Sequence, residues 1–182
     1  MEQPRTIVRD LVAGVVACDL REDIDQVAML RWIDSGAPLW RTAKPAMPKL
    51  HLCVYFVVFD PRRRTVLLID HVLSGLRLPP GGHVDYAEDP RKTVVREAEE
   101  ELGIDARFLF EEPLFVTVTQ AVDHSHEDAT LWFVLTGDQD MRVVADPGEI
   151  SAVHWVPLDD DCGPGCDPRL DQFRRKLIAR LS

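Results

Sequence analysis

A chain of 182 residues, 46% of them hydrophobic, has enough apolar mass for one packed domain with a short extra segment, which excludes global disorder. Its formal net charge of −10 argues against nucleic acid as the main partner, because a negative surface repels a phosphate backbone. A small phosphorylated substrate stays compatible, since a bound divalent cation reverses the sign locally, and no apolar run reaches transmembrane length, so no membrane partner is expected.

Residues 1–47 read as a helical arm. Arg5 and Arg9 precede the apolar run Leu11–Cys18, which loosely resembles an export signal. The run is short and Asp10 abuts it, so it reads as a helix with one apolar face in a cytoplasmic protein. Ile24, Val27, Ala28 and Ile33 recur at helical spacing, with Asp23 or Asp25 as N-cap and Gly36 as the stop. This periodicity predicts packing against a sheet or a second subunit, which leaves a homodimer open. Pro38, Pro45 and Pro48 mark an irregular connector, and the main domain is expected over residues 48–182.

Leu50–Phe59 is rich in β-branched and aromatic residues and predicts a buried strand. Asp60–Thr65 is a turn, and Val66–Val72 completes a hairpin. Leu78–Val84 reads as a stiff loop leaving the sheet. Asp89 and Pro90 open a helix that Gly103 closes. Leu114–Ala121 and Thr130–Thr136 are strands around the polar loop Val122–Ala129, and Val153–Pro157 is a last strand. Leu170–Leu181 is an amphipathic helix with Phe173, Leu177, Ile178 and Leu181 inward. The order predicts an α/β protein with a mixed sheet between helices. Cys162-Gly-Pro-Gly-Cys166 reads as a turn with two incidental thiols rather than a zinc site or a disulfide, since no second ligand pair is near in sequence.

The chemistry concentrates on the helix after Pro90. Val94, Ala98 and Leu102 form an apolar stripe, while Glu97, Glu100 and Glu101 share another face. Such a helix taken alone is a solvated acidic face. The preceding Pro79-Pro80-Gly81-Gly82 changes that reading: it is stiff, then free of side chains, so its backbone can approach a bound group. Carboxylate oxygens suit Mg²⁺ or Mn²⁺, and glycine loop and helix together suit a metal–diphosphate complex.

Gly82, five residues, Glu88, seven residues, then Arg96-Glu97-Ala98-Glu99-Glu100-Glu101-Leu102-Gly103-Ile104 resembles the Nudix box at every fixed position, with Ala98 small for its aliphatic place. The strands on either side extend the resemblance to roughly residues 48–160. It implies an α/β/α sandwich and hydrolysis of a phosphoanhydride in a nucleotide-type substrate. It implies Mg²⁺ or Mn²⁺ held by Glu97, Glu100 and Glu101, with the Gly81 carbonyl as a further ligand. Glu88 would support the loop or take part through water, and Arg96 would orient the carboxylates.

Outside the box, Gly82 and His83 are placed to touch phosphate. The loop Asp123–Asp128 offers Asp123, His124 and His126 as substrate contacts and Glu127 as a general base; Glu149 offers an extra acidic group. Trp132 and Phe133 read as core, and His51, His71 and His154 as ordinary sheet residues. No Ser-Gln-Pro-Trp motif follows the box and no coenzyme A-type signature precedes it, so the substrate stays open. Two alternatives are a nucleotide-sensing module on the same fold without turnover, and an isoprenoid-diphosphate isomerase. The isomerase would need Cys53, whose sequence neighbours are apolar.

Overall fold

The computed structural model describes residues 3–43, 47–122 and 124–182. Its elements run α1 (Pro4–Gly14), α2 (Leu20–Asp34), β1 (Leu50–Asp60), β2 (Thr65–His71), β3 (Arg77–Leu78), β4 (Gly81–His83), α3 (Pro90–Leu102), β5 (Phe108–Gln120), β6 (Glu127–Thr136), β7 (Ile150–Pro157) and α4 (Leu170–Leu181). The strands form one mixed sheet in the order β3-β2-β1-β6-β5, with β4 on β1 and β7 on β2. β1 and β6 are parallel, and the other pairings are antiparallel.

Alternation along the strands divides the core into two layers. Leu52, Val54, Phe56 and Val58 of β1 meet Val8, Leu11, Met29 and Ile33 of the arm and Val94, Ala98 and Leu102 of α3. Val57 and Phe59 face the other way, onto Trp132, Phe173 and Leu177, which places α4 on the opposite side. Both Trp132 and Phe133 are core, and the Trp132 indole N–H donates to Thr117 Oγ1 at 3.0 Å. The apolar face of α1 lies against this core, and no helix among the described residues is long and apolar enough to cross a membrane.

Several local expectations are corrected. Asp19, not Asp23 or Asp25, caps α2, accepting from the Glu22 N–H at 3.0 Å; the helix starts earlier, and Asp25 instead pairs with Arg169. Leu78–Val84 does not leave the sheet. Gly81–His83 pairs with Cys53–Tyr55, and only glycine permits this approach: a Cβ on Gly81 would sit 2.1 Å from the Val54 carbonyl oxygen. β5 starts at Phe108, ahead of the expected Leu114, and register shifts across Phe108–Phe115 absorb the break. β6 begins at Glu127, so the polar loop ends at His126. Cys162 and Cys166 are joined as a disulfide, because Gly163 and Gly165 take positive φ and fold the turn until the two Cα atoms are 6.1 Å apart.

Candidate functional site

Helix α3 is fixed at both ends by local chemistry. The Asp89 side chain accepts from the Arg91 N–H, Pro90 occupies the first turn, and Gly103 closes the helix at φ 63°. Val94, Ala98 and Leu102 go into the core, which turns Glu97 and Glu101 toward the glycine strand. A Cβ on Gly82 would lie 2.3 Å from Glu97 Oε1, and the Gly81 N–H donates to Glu101 Oε2 at 3.1 Å. Any side chain at Gly82 would displace Glu97; Gly82→Ala is expected to lose activity as severely as removal of that carboxylate, checked by kcat/KM on protein of unchanged circular dichroism.

The carboxylates are not equivalent. Glu101 is 4% exposed, and burial, then the nearby Glu97 and Glu149, push its pKa up to about 9. Burial likewise raises Glu97. Glu100 points outward, with its side chain 61% exposed. Glu149 hydrogen-bonds Glu101 from outside α3. Its segment is held there by the Val144 and Asp146 N–H groups, which donate to the Leu102 and Glu101 carbonyls, and by its own carbonyl, which accepts from the Val72 N–H.

Arg96 is the one cation among the described residues that bonds this group. It donates to Glu97 at 2.7 Å, Glu100 at 3.2 Å, Glu88 at 3.3 Å and the His83 carbonyl at 3.3 Å. Glu88 also accepts from Thr93 at 2.7 Å. Burial pushes Glu88 upward, but these donors outweigh it and hold its pKa below the ordinary value. Glu88 is thus braced against Arg96, while Glu97, Glu101 and Glu149 crowd together with too little positive charge between them. That imbalance, built of hard oxygen donors beside a bare glycine backbone, fits a divalent cation such as Mg²⁺.

The remaining sequence-derived residues separate. His83 and His126 lie on the α4 side of the sheet, their rings 4.8 Å from His51. His124 is exposed at φ 57°. Glu127 begins β6, and no hydrogen bond or ion pair among the described residues joins it to the box carboxylates. Asp123 lies outside the described residues. His51 is no ordinary sheet histidine, and Cys53 is not ringed by apolar groups: both are buried beside His83 and Asp128. Period-two spacing, His51-x-Cys53 and His126-x-Asp128, was the signal for this grouping in the sequence. His154 is also engaged, with Nε2 2.7 Å from Asp70 Oδ2.

The NUDIX domain model matches residues 49–181. The chain belongs to the NUDIX family. Its domain is of the Nudix hydrolase type, and solved structures share the mixed sheet with flanking helices. The MutT Nudix hydrolase of Burkholderia pseudomallei aligns with a TM-score of 0.57 and 21% identity, over 70% of this chain and 98% of that one. The C. elegans Ap4A hydrolase aligns at 0.59 and 19%, over 72% and 98%. The NUDIX domain of Shewanella oneidensis NrtR, solved with ADP ribose, aligns at 0.58 and 22%, over 72% and 88%. At these identities the likeness speaks for the Nudix fold alone. No curated protein matches this chain closely enough to count as a relative.

Proposed function

We propose that this Nudix domain hydrolyses a phosphoanhydride bond in a nucleoside diphosphate linked to another moiety, or in a nucleoside triphosphate, using Mg²⁺ or Mn²⁺. The observation that carries the reading is the convergence of Glu97, Glu101 and Glu149 beside the side-chain-free backbone of Gly81–Gly82. Residues 48–182 form the hydrolase domain in this reading, and residues 1–47 an arm that supports it.

Glu97, Glu100 and Glu101 would hold the cation, with the Gly81 carbonyl as a further ligand. When bound, the ion neutralises diphosphate oxygens and acidifies water. Arg96 holds Glu97 and Glu100 through Nη1 and Glu88 and the His83 carbonyl through Nη2, a task a lysine cannot copy because it lacks the planar fork. Gly82 lets the diphosphate approach the strand. Glu149 is exposed next to Glu101, where its carboxylate can take the proton of the attacking water. It is better placed for this than Glu127, which has no bond to the carboxylate group.

The deciding experiment is a panel of nucleotide sugars, dinucleotides, nucleoside triphosphates and alcohol-linked diphosphates incubated with Mg²⁺. Release of a nucleoside monophosphate or of pyrophosphate supports the proposal. Tight nucleotide binding without product from any class would support the sensing alternative. Activity is expected to rise into mildly alkaline pH and to vanish in excess chelator; full turnover in chelator would refute the metal role. Glu149→Ala is expected to lower kcat by roughly 10²–10⁴-fold as loss of a general base, with KM little changed. If KM shifts selectively among substrates instead, Glu149 is a specificity residue. The isomerase alternative is weaker, since Cys53 is 6% exposed and enclosed by His51, His83 and Asp128 rather than open to a substrate.

A further inference from the structure

A second constellation lies on the sheet face turned toward α4. β1 contributes His51 and Cys53, β4 contributes His83 and β6 contributes Asp128; one ligand atom from each falls within 4.8 Å of the others. We infer that these four side chains form a transition-metal site of the zinc class, separate from the carboxylates of α3.

The geometry of His51 carries the inference. This side chain is fully buried, and its Nδ1 lies 2.8 Å from the Pro48 carbonyl oxygen. A carbonyl only accepts, so Nδ1 holds the ring proton and Nε2 carries a lone pair. That Nε2 has no hydrogen-bond partner and points at Asp128 Oδ1, 3.5 Å away. Two lone pairs facing each other in a buried site repel. A cation between the two atoms resolves this repulsion. An imidazole whose second ring N–H donates to a backbone carbonyl is also how metal-bound histidines are commonly held.

The donor set names the metal class. One thiol, two imidazoles and one carboxylate suit a borderline ion such as Zn²⁺ far better than Mg²⁺, which takes oxygen ligands. Cys53 Sγ already sits 3.2 Å from Asp128 Oδ1. In the metal-free cluster burial and Asp128 push the thiol well above its ordinary pKa. Metal binding would release its proton to solvent, because a coordinating thiol is deprotonated outright. A dication with Cys53 thiolate and Asp128 carboxylate is then neutral, the arrangement a buried site favours. Bonds of about 2.0–2.3 Å in a tetrahedron bring ligand atoms to about 3.3–3.8 Å of one another, so small side-chain rotations complete the site. His126 Nε2 lies 3.3 Å from Asp128 Oδ1 and steadies it; of the outlying charges, Arg41, 3.4 Å from His83 Nε2, adds positive potential and Glu97 negative potential. Bound there, the ion ties together β1, β4 and β6 and so pins the strand that carries Gly81 and Gly82.

The test is Co²⁺ titration of chelator-stripped full-length protein in excess Mg²⁺, which saturates oxygen-donor sites. A stoichiometric complex with a thiolate-to-cobalt charge-transfer band and intense tetrahedral visible bands, displaced by Zn²⁺, is expected. Cys53→Ser should remove the charge-transfer band, and His51→Gln should weaken binding at least tenfold. Glu101→Gln, and Cys162→Ser combined with Cys166→Ser, should leave the spectrum intact. Absence of the bands in folded wild-type protein overturns the inference, whatever the variants do. So does a band that survives Cys53→Ser, or one lost in the Cys162/Cys166 variant.

Discussion

Glu101→Gln is expected to lower kcat/KM by at least about 10²–10³-fold and, in the metal-free protein, to raise the melting temperature above pH 7. The two effects have one cause. Glu101 is buried against Glu97 and Glu149, and its pKa rises from an ordinary 4.5 to about 9. The unfolded chain gives up this proton near 4.5, whereas the folded chain keeps it until about 9. Between those values the folded state binds more protons, so metal-free stability falls as pH rises. Glutamine keeps the shape and cannot ionise, which removes that slope. Bound Mg²⁺ should also flatten it, because the cation favours the carboxylate. Thermal melts across pH 5–9, with chelator and with Mg²⁺, check this. A wild-type slope equal to that of Glu101→Gln would show that Glu101 is already ionised without metal. Near wild-type turnover in the variant would refute its role as ligand. Glu100→Gln, at an exposed position bonded to Arg96, should also lose turnover.

Lys176→Met is expected to destabilise the fold by about 3–5 kcal/mol, the cost of leaving a buried charge without its partner. Lys176 Nζ donates to Glu22 Oε1 at 2.5 Å, and Glu22 is fully buried. Glu22 also accepts from the Cys18 N–H at 2.8 Å and the Val116 N–H at 3.4 Å, so it joins the arm, β5 and α4. Arg169 to Asp25 at 2.5 Å and Gln172 to Asp19 at 2.6 Å repeat the link beside it. Through the usual size scaling, the loss corresponds to a drop of roughly 6–20 °C in Tm. Glu22→Gln with Lys176→Met should recover much of the loss, since the amide needs no countercharge. Chemical denaturation of the single and double variants measures the coupling. A cost below about 1 kcal/mol for Lys176→Met would mean that Glu22 is not held as a buried anion. Deletion of residues 1–40 should be harsher, because it also strips Val8, Leu11, Met29 and Ile33 from the core.

By itself the sequence determined what depends on short separations. Helix α3 with its Asp89 cap and Gly103 stop, the bounds of α4, the β1–β2 hairpin and the full Nudix box were all legible, because caps, turns and helical faces are set within a few residues. The resemblance to the box implied Glu97, Glu100 and Glu101 as metal ligands. Only tertiary structure decided their inequality: packing of Val94, Ala98 and Leu102 turns Glu97 and Glu101 inward and leaves Glu100 in solvent. It also decided that Glu149, rather than Glu127, meets them, since the contact depends on the chain between Val144 and Glu149 docking on the end of α3. The histidine–cysteine cluster lay further beyond reach. Cys53 and Asp128 are 75 residues apart and meet through the parallel register of β1 on β6, which places His51 opposite Asp128. Alternation told which residues share a strand face, but not which strands become neighbours. That choice is made by burial of the whole sheet between α4 and the arm, an energy no local window contains.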